Sequence, residues 1–330
     1  MRDKWVIVLL VSIIALLILT FLFFYPLIDG IVMGIVFAYV AKPIKNRIRP
    51  KTGRITSSLI STLLIILPIS FLMFYGAFRG IDQLIHILTH QQEYTQNLMK
   101  TLMEAGIEER YLLEIQSILY SIISVVQNTL RISAIGVTVK TIMFVLNFLI
   151  SAIVCYYVLL DGDNFVERLL RVIPEERRSD LRKFIAEVDE TFLGLWFGNF
   201  VVALLIGLAS IPFFLAFNIP FTPLLSGLMF LAALIPVFAE WMVLIVVAFF
   251  LALTDIWLAL WFAIIGFIFL YILPELILRP HFVGYTSRIH PLVLMLAFIG
   301  GAIAGGVAGF FVAPMIAGLM TAVYNYYTTS

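Results

Sequence analysis

Charged residues are scarce in this sequence, and their scarcity excludes a soluble protein. They make up 12% of the 330 residues, whereas a soluble domain carries roughly 25%. The single cysteine, Cys155, excludes a disulfide framework. Short segments of alternating hydrophobicity are also lacking, which excludes a transmembrane β-barrel. What remains is a chain in which 62% of the residues are hydrophobic.

The hydrophobic residues form long continuous runs. Runs of about 20 residues, each rising 1.5 Å per residue, cross a hydrocarbon core of roughly 30 Å, and the backbone groups inside it must bond internally. The sequence therefore predicts an all-α, polytopic transmembrane helical bundle. The first run is too long for a cleaved signal peptide and is predicted to be a retained span. The predicted spans lie in residues 5–28, 55–78, 141–160, 193–217 and 257–278.

Basic residues predict the orientation of the N-terminal part. Residues 42–56 carry six basic residues and no acid, which marks the cytoplasmic side. Arg2 and Lys4 place the N-terminus on that side too. The segment between must then be a hairpin that turns at residues 25–30. Residues 1–78 are thus predicted to hold this transmembrane hairpin and a third span in the cell membrane.

Two charged islands interrupt the apolar runs. Residues 79–140 have apolar side chains at helical spacing, which predicts two extracytoplasmic amphipathic helices broken near Gly106. Residues 141–160 return as a span. Residues 161–190 are predicted to form one or two cytoplasmic helices, with a helix start at Pro174.

The C-terminal region, residues 191–330, contains two apolar stretches of awkward length. Residues 217–253 are too long for one span and too short for two, and residues 289–327 have the same property. Such stretches predict broken or re-entrant helices, which are tolerated only where they are buried in protein or line a cavity. The region is therefore predicted to hold a transport path. The interrupting prolines of the first stretch are Pro220, Pro223 and Pro236.

Few polar residues remain in this region, and each has two interpretations. Glu240 either faces a cavity or a cation at depth, where a lone charge is costly, or lies in an interfacial turn. Glu275 and Arg279 are spaced for a helical ion pair, which is either structural or part of a gate. Asn199 either bonds a neighbouring helix or lines the path. His290 is expected at a span end, and neither metal nor cofactor is predicted.

Glycines dominate the last apolar stretch. A stripe of small residues allows close helix packing in lipid, and a bend that lines a substrate path is a compatible alternative. We expect residues 236–240 to meet residues 300–309 near mid-membrane, with Glu240 beside the junction. The candidate path glycines are Gly300, Gly301, Gly305 and Gly309.

Three stretches carry a resemblance to a known family. In residues 193–207, Gly198-Asn199 stands where members of that family commonly have Gly-Gln. Residues 221–253 resemble a proline-interrupted segment. Residues 273–317 match most specifically, through Glu275, Pro280, Val283-Gly284, His290-Pro291-Leu292, Gly300-Gly301, Gly305, Gly309 and Ala313-Pro314.

The chain thus resembles the autoinducer-2 exporter family of polytopic membrane proteins. Two departures fall in the segments that would bind substrate: Val237-Phe238-Ala239-Glu240 replaces a common Tyr-x-Gly-Pro, and Leu276 replaces a common Asn. The resemblance implies export of a signalling molecule or Na⁺/H⁺ antiport, and a homo-oligomer such as a pentamer.

These observations predict a secondary transporter that exports a small polar solute, such as a signalling metabolite, with H⁺ or Na⁺ as a further partner. One alternative is a cation/proton antiporter that uses Glu240 or Glu275. Another is a non-transporting membrane scaffold, which would have no need of broken helices. An intramembrane enzyme would require a catalytic pair at depth, which the sequence lacks, so no enzyme is predicted. No basic tract indicates nucleic acid as a partner.

Overall fold

The computed structural model describes residues 2–104, 106–131, 134–235, 240–252, 254–279 and 289–329, and within them the chain is all-α. A 3-10 turn, Tyr25–Leu27, separates α1 from α2, and α10 continues as two π-helical turns, Phe267–Ile272 and Pro274–Leu278. The helices are α1 (Arg2–Phe24), α2 (Ile28–Thr52), α3 (Arg54–Thr89), α4 (Gln91–Glu104), α5 (Glu109–Arg131), α6 (Ala134–Val172), α7 (Glu175–Ala216), α8 (Thr222–Ala233), α9 (Glu240–Ala252), α10 (Ile256–Gly266) and α11 (Pro291–Thr329).

Six stretches of the described helices are long and apolar enough to cross a membrane. This confirms the predicted polytopic bundle and defines an integral membrane protein. α8 and α9 are apolar but have only 12 and 13 residues. The six stretches are Val11–Thr52, Arg54–Gly76, Thr141–Val172, Glu175–Ala216, Ile256–Leu278 and Leu292–Tyr324.

The N-terminal segment is interrupted by the 3-10 turn within the predicted residues 25–30. α1 contacts the 3-10 turn and does not pack along α2. Its described large side chains are exposed, as at Leu19 (69%) and Phe23 (75%). A helix that is apolar all round is suited to contact lipid on every face, and the predicted transmembrane hairpin stays a prediction. The membrane side of its ends stays a prediction.

Large parts of the two charged islands are continuations of the membrane-spanning helices. α3 continues beyond its span to Thr89, and α4 and α5 form a pair separated at Gly106, as predicted. In the second island, the end of α6 and the start of α7 supply the helices expected over residues 161–190, and both are continuations of long helices. Their cytoplasmic side stays a prediction. Ile173 and Pro174 separate the two helices, and α7 begins directly after Pro174.

The core lies between α2, α3, α6, α7 and α8. Phe37, Trp196, Phe200 and Phe230 are at most 2% exposed there. Ion pairs close one end of this bundle, which we call the basic end. It is defined by Lys42 with Asp189 (2.6 Å) and Arg54 with Asp161 (2.6 Å).

Candidate functional site

α11 is a helical hairpin. Gly305 and Gly306 leave helical backbone geometry, and Gly306 has φ 58° and ψ −136°, a conformation that only glycine adopts readily. The rings of Phe298 and Phe310 lie 4.8 Å apart, although twelve residues of straight helix would separate them by about 18 Å. The chain therefore turns back on itself at Gly305–Gly306.

The two arms of this glycine hairpin, residues 291–304 and 307–329, touch through backbone. The carbonyl of Gly309 occupies the place where a Cβ of Gly301 would stand, and the reverse also holds. The close packing predicted for the glycine stripe thus occurs inside α11. Gly300 and Gly305 have open space around them, so the predicted close contact at Gly305 is wrong, because the turn places this residue at the tip.

A carboxylate holds the tip of the glycine hairpin. The backbone N–H of Ala308 donates to Oδ1 of Asp29 at 2.8 Å. The first N–H groups of a helical arm have no intrahelical acceptor, and an acidic side chain there satisfies one of them. Asn147 fixes the neighbouring turn, since its Oδ1 accepts from the N–H of Gly30 at 2.7 Å. Sequence analysis assigned Asp29 only to a turn, although a carboxylate in an apolar stretch was a usable signal.

The glycine hairpin enters the bundle from the basic end. Gly318 on its second arm lies against Phe192, three residues beyond Asp189 of the basic end, and its tip reaches Asp29 at the other end of α2. Residues 291–304 span only about 21 Å, less than a hydrocarbon core of roughly 30 Å. The first arm therefore ends within the membrane thickness.

α8 enters from the opposite side. Its start lies beside Gly76, where the carbonyl of Pro223 approaches α3, and Gly76 is the end of the α3 span away from Arg54. Twelve residues rise about 18 Å, so α8 ends inside the bundle at Ala233. The two interrupted segments predicted from the sequence therefore approach from opposite faces.

Four predicted site residues meet at the end of α8 in what we call the Arg279 cluster: Asn199, Glu240, Glu275 and Arg279. The guanidinium donates to Glu240 Oε1 (3.1 Å), to the carbonyl of Ala233 (3.3 Å) and to Asn199 Oδ1 (3.4 Å). Glu240 is 2% exposed and Arg279 is 9% exposed. One cation thus ties α7, the end of α8 and the start of α9 together.

The Arg279 cluster holds two acids and one cation, and its guanidinium is not fully hydrogen-bonded within the described residues. Glu275 Oε2 lies 2.7 Å from Nε of Arg279, yet the Nε hydrogen has no acceptor in line. Two carboxylates face one guanidinium, so the cluster carries a net charge of −1 when both acids are ionised. Buried charge is costly unless it is compensated. A proton or a small cation would balance this cluster.

The remaining predicted residues lie elsewhere. His290 is exposed, and its Nδ1 accepts from the N–H of Leu292 at 3.2 Å, so it caps the start of α11. Pro236 lies outside the described residues. Glu240 pairs with Arg279, which fits the expectation of a cation at depth, because a buried carboxylate is costly without one. Its place beside the glycine hairpin stays a prediction.

A cavity of about 720 Å³ separates the two interrupted segments. Its lining includes Leu234 and Ile235 after α8, and Gly306 and Val307 at the tip of the glycine hairpin. Seven phenylalanines and three methionines contribute, and none of the described lining residues is charged. Sequence analysis missed this lining, because its residues come from seven helices and look like ordinary core residues in each. The phenylalanines include Phe37, Phe144, Phe148, Phe200, Phe230 and Phe310.

Interrupted helices that enter from opposite faces and surround a cavity are typical of membrane transporters, and comparison with known proteins agrees. A family model described as "AI-2E family transporter" matches residues 10–329. The chain therefore belongs to the AI-2E transporter family. It is 57% identical over 330 residues to the Archaeoglobus fulgidus "Putative transport protein", covering 99% of this chain and 96% of that relative. A Methanocaldococcus jannaschii relative of the same description, MJ1177, is 27% identical over 170 residues, about half of each chain (51% and 51%).

Proposed function

We propose that this chain is a secondary transporter that moves a small solute across the membrane and couples that movement to a proton or small cation at the Arg279 cluster. The proposal rests mainly on one observation: buried Glu240 and half-buried Glu275 share a single arginine beside the end of α8. Membership of a transporter family supports the general class.

The coupling follows from charge balance. When Glu240 is ionised, Arg279 holds it and also holds the carbonyl of Ala233. A proton or cation on Glu240 would weaken the attraction to Arg279 and release the end of α8. Movement of that end would open or close one side of the cavity. Solute access and ion binding would thus alternate.

Export is the direction we propose, on the basis of the resemblance described above. The sequence shows no nucleotide-binding glycine loop, which favours an ion gradient over ATP as the energy source. Cation/proton antiport is a second candidate, and the surplus carboxylate in the Arg279 cluster favours it. A scaffold would have no need of a charged cluster at the broken end of a helix. A homo-oligomer in the cell membrane remains part of the proposal.

Vesicle assays test this proposal. Purified protein in liposomes should respond to an imposed pH or Na⁺ gradient during uptake or efflux across a panel of small metabolites. Glu240→Gln keeps the shape of the side chain and removes its charge, so we expect normal assembly with loss of gradient dependence. Glu108→Gln, at an exposed acid between α4 and α5, is the matched control. Unchanged gradient dependence in Glu240→Gln would overturn the coupling role.

A further inference from the structure

We propose that the apolar cavity between the glycine hairpin and α8 binds an uncharged, hydrophobic small molecule with an aromatic or similarly compact body. As the solute site of the transporter this inference rests on the proposed function, whereas binding itself can be measured without transport. It assigns a solute class different from the polar one predicted from the sequence.

The residues that line the cavity determine which kind of solute it can bind. Phenylalanine rings and methionine thioethers surround the space, and no charged side chain stands among the described residues that line it. A polar solute would lose its hydrogen bonds to water there without replacement, at a cost that an apolar solute avoids. Flexible methionines such as Met33, Met73 and Met242 adapt to ligands of different shape, and rings offer flat contact area.

The size and depth of the cavity fit a small molecule. Its volume of about 720 Å³ lies inside the range of roughly 300–1,000 Å³ that is usual for ligand pockets. Three of its lining residues, Phe37, Phe200 and Phe230, are at most 2% exposed. The cavity therefore reaches into the packed centre of the bundle, while exposed residues such as Leu228 and Met242 lie at its open side.

Position links this cavity to the moving parts of the proposed transporter. Ala232, Leu234 and Ile235 line it, while the carbonyl of Ala233 between them accepts from Arg279. On the other side, Gly306 and Val307 line it at the tip of the glycine hairpin. A bound molecule would touch both interrupted segments, and the Arg279 cluster holds the end of one of them, α8.

A binding experiment tests the inference on the full-length protein in lipid nanodiscs. The probe is N-phenyl-1-naphthylamine, an uncharged aromatic fluorophore, followed by energy transfer from protein tryptophans. Ala302→Phe adds a ring at the exposed tip position that lines the cavity, and we expect affinity to fall by about tenfold to a hundredfold. Ile303→Phe, at a neighbouring position 83% exposed and outside the lining, should leave affinity unchanged. Val307→Phe provides a second cavity-filling variant.

Competition identifies the source of the hydrophobic ligand. Indole should displace the probe, and glycerol and short-chain phosphatidylcholine should not. Displacement by the phosphatidylcholine alone would overturn the inference in favour of a lipid acyl chain. Equal affinity in the parent, Ala302→Phe and Val307→Phe would also overturn it. The outcome is independent of Glu240→Gln, because no gradient is imposed, so failure of the coupling proposal and failure of this inference remain distinguishable.

Discussion

The backbone contact inside the glycine hairpin gives a sharp prediction, because two glycines four residues apart should respond in opposite ways to the same change. A Cβ at Gly301 would meet the carbonyl of Gly309 and would lie 2.7 Å from the Cβ of Ala313. A Cβ at Gly305 would meet nothing within 4 Å. Gly301→Ala should therefore destabilise the protein, and Gly305→Ala should not.

The expected magnitude follows from two opposing contributions. Overpacking costs about 1–3 kcal/mol, and at Gly301 backbone atoms on both arms prevent easy relief. Alanine is favoured over glycine in a helix by about 1 kcal/mol, which reduces the net cost to roughly 0–2 kcal/mol. The larger Gly301→Leu should reach or exceed the upper part of that range. The contact between Phe298 and Phe310 would open as the arms separate.

Thermal unfolding of purified protein in one detergent measures the effect. Each kcal/mol corresponds to about 2–4 °C in Tm for chains of 150–250 residues, so Gly301→Leu should lower Tm by several degrees. Gly305→Leu serves as the matched control and should stay within about 1 °C of the parent. A Gly301→Leu protein as stable as the parent would refute the packed hairpin.

Three further predictions concern other parts of the molecule. Asp29→Ala removes the acceptor for the N–H of Ala308 and should cost about 1 kcal/mol in thermal stability. Arg279→Met leaves Glu240 buried without its cation, so unfolding stability should fall by about 3–5 kcal/mol. For topology, a cysteine at position 100, but not one at position 178, should react with a membrane-impermeant reagent in intact cells after Cys155→Ser.

Each of these predictions has a control. Arg182→Met breaks an exposed pair with Glu167 and should cost less than about 1 kcal/mol. Adding Glu240→Gln to Arg279→Met removes both charges and should recover stability; no recovery would contradict the compensation argument. Asp29→Asn should retain more stability than Asp29→Ala, and equal loss would contradict capping. Labelling of the cysteine at position 178 but not of the one at position 100 in intact cells would contradict the predicted orientation.

Local features of the fold could be predicted from the sequence. Long apolar runs predicted the spans, since membrane crossing depends on length and hydrophobicity alone. The break at Gly106 and the start of α7 after Pro174 were also correct. The i, i+4 spacing of Glu275 and Arg279 indicated their ion pair. Each of these features depends on residues close together in the chain.

Non-local features could not be predicted in the same way. Glu240 and Arg279 are 39 residues apart, and no spacing rule relates them. Glycines at intervals of four suit a straight packed helix as well as two arms of a hairpin, because the left-handed φ of Gly306 leaves no mark in the sequence. Likewise, α1 is apolar on every face, so its sequence does not say whether it packs on α2 or faces lipid.

The end of α8 is where ion and solute would act on each other. The carbonyl of Ala233 accepts a hydrogen bond from Arg279, and the residues on either side of Ala233 line the cavity. The last carbonyls of a helix have no intrahelical donor. The guanidinium therefore supplies the hydrogen bond that a backbone N–H would donate if α8 continued. Neutralising Glu240 would free Arg279 to shift and would remove that hydrogen bond. The last turn of α8 would then move, and the residues of that turn that line the cavity would move with it. This gives a physical route from proton or cation binding to solute release.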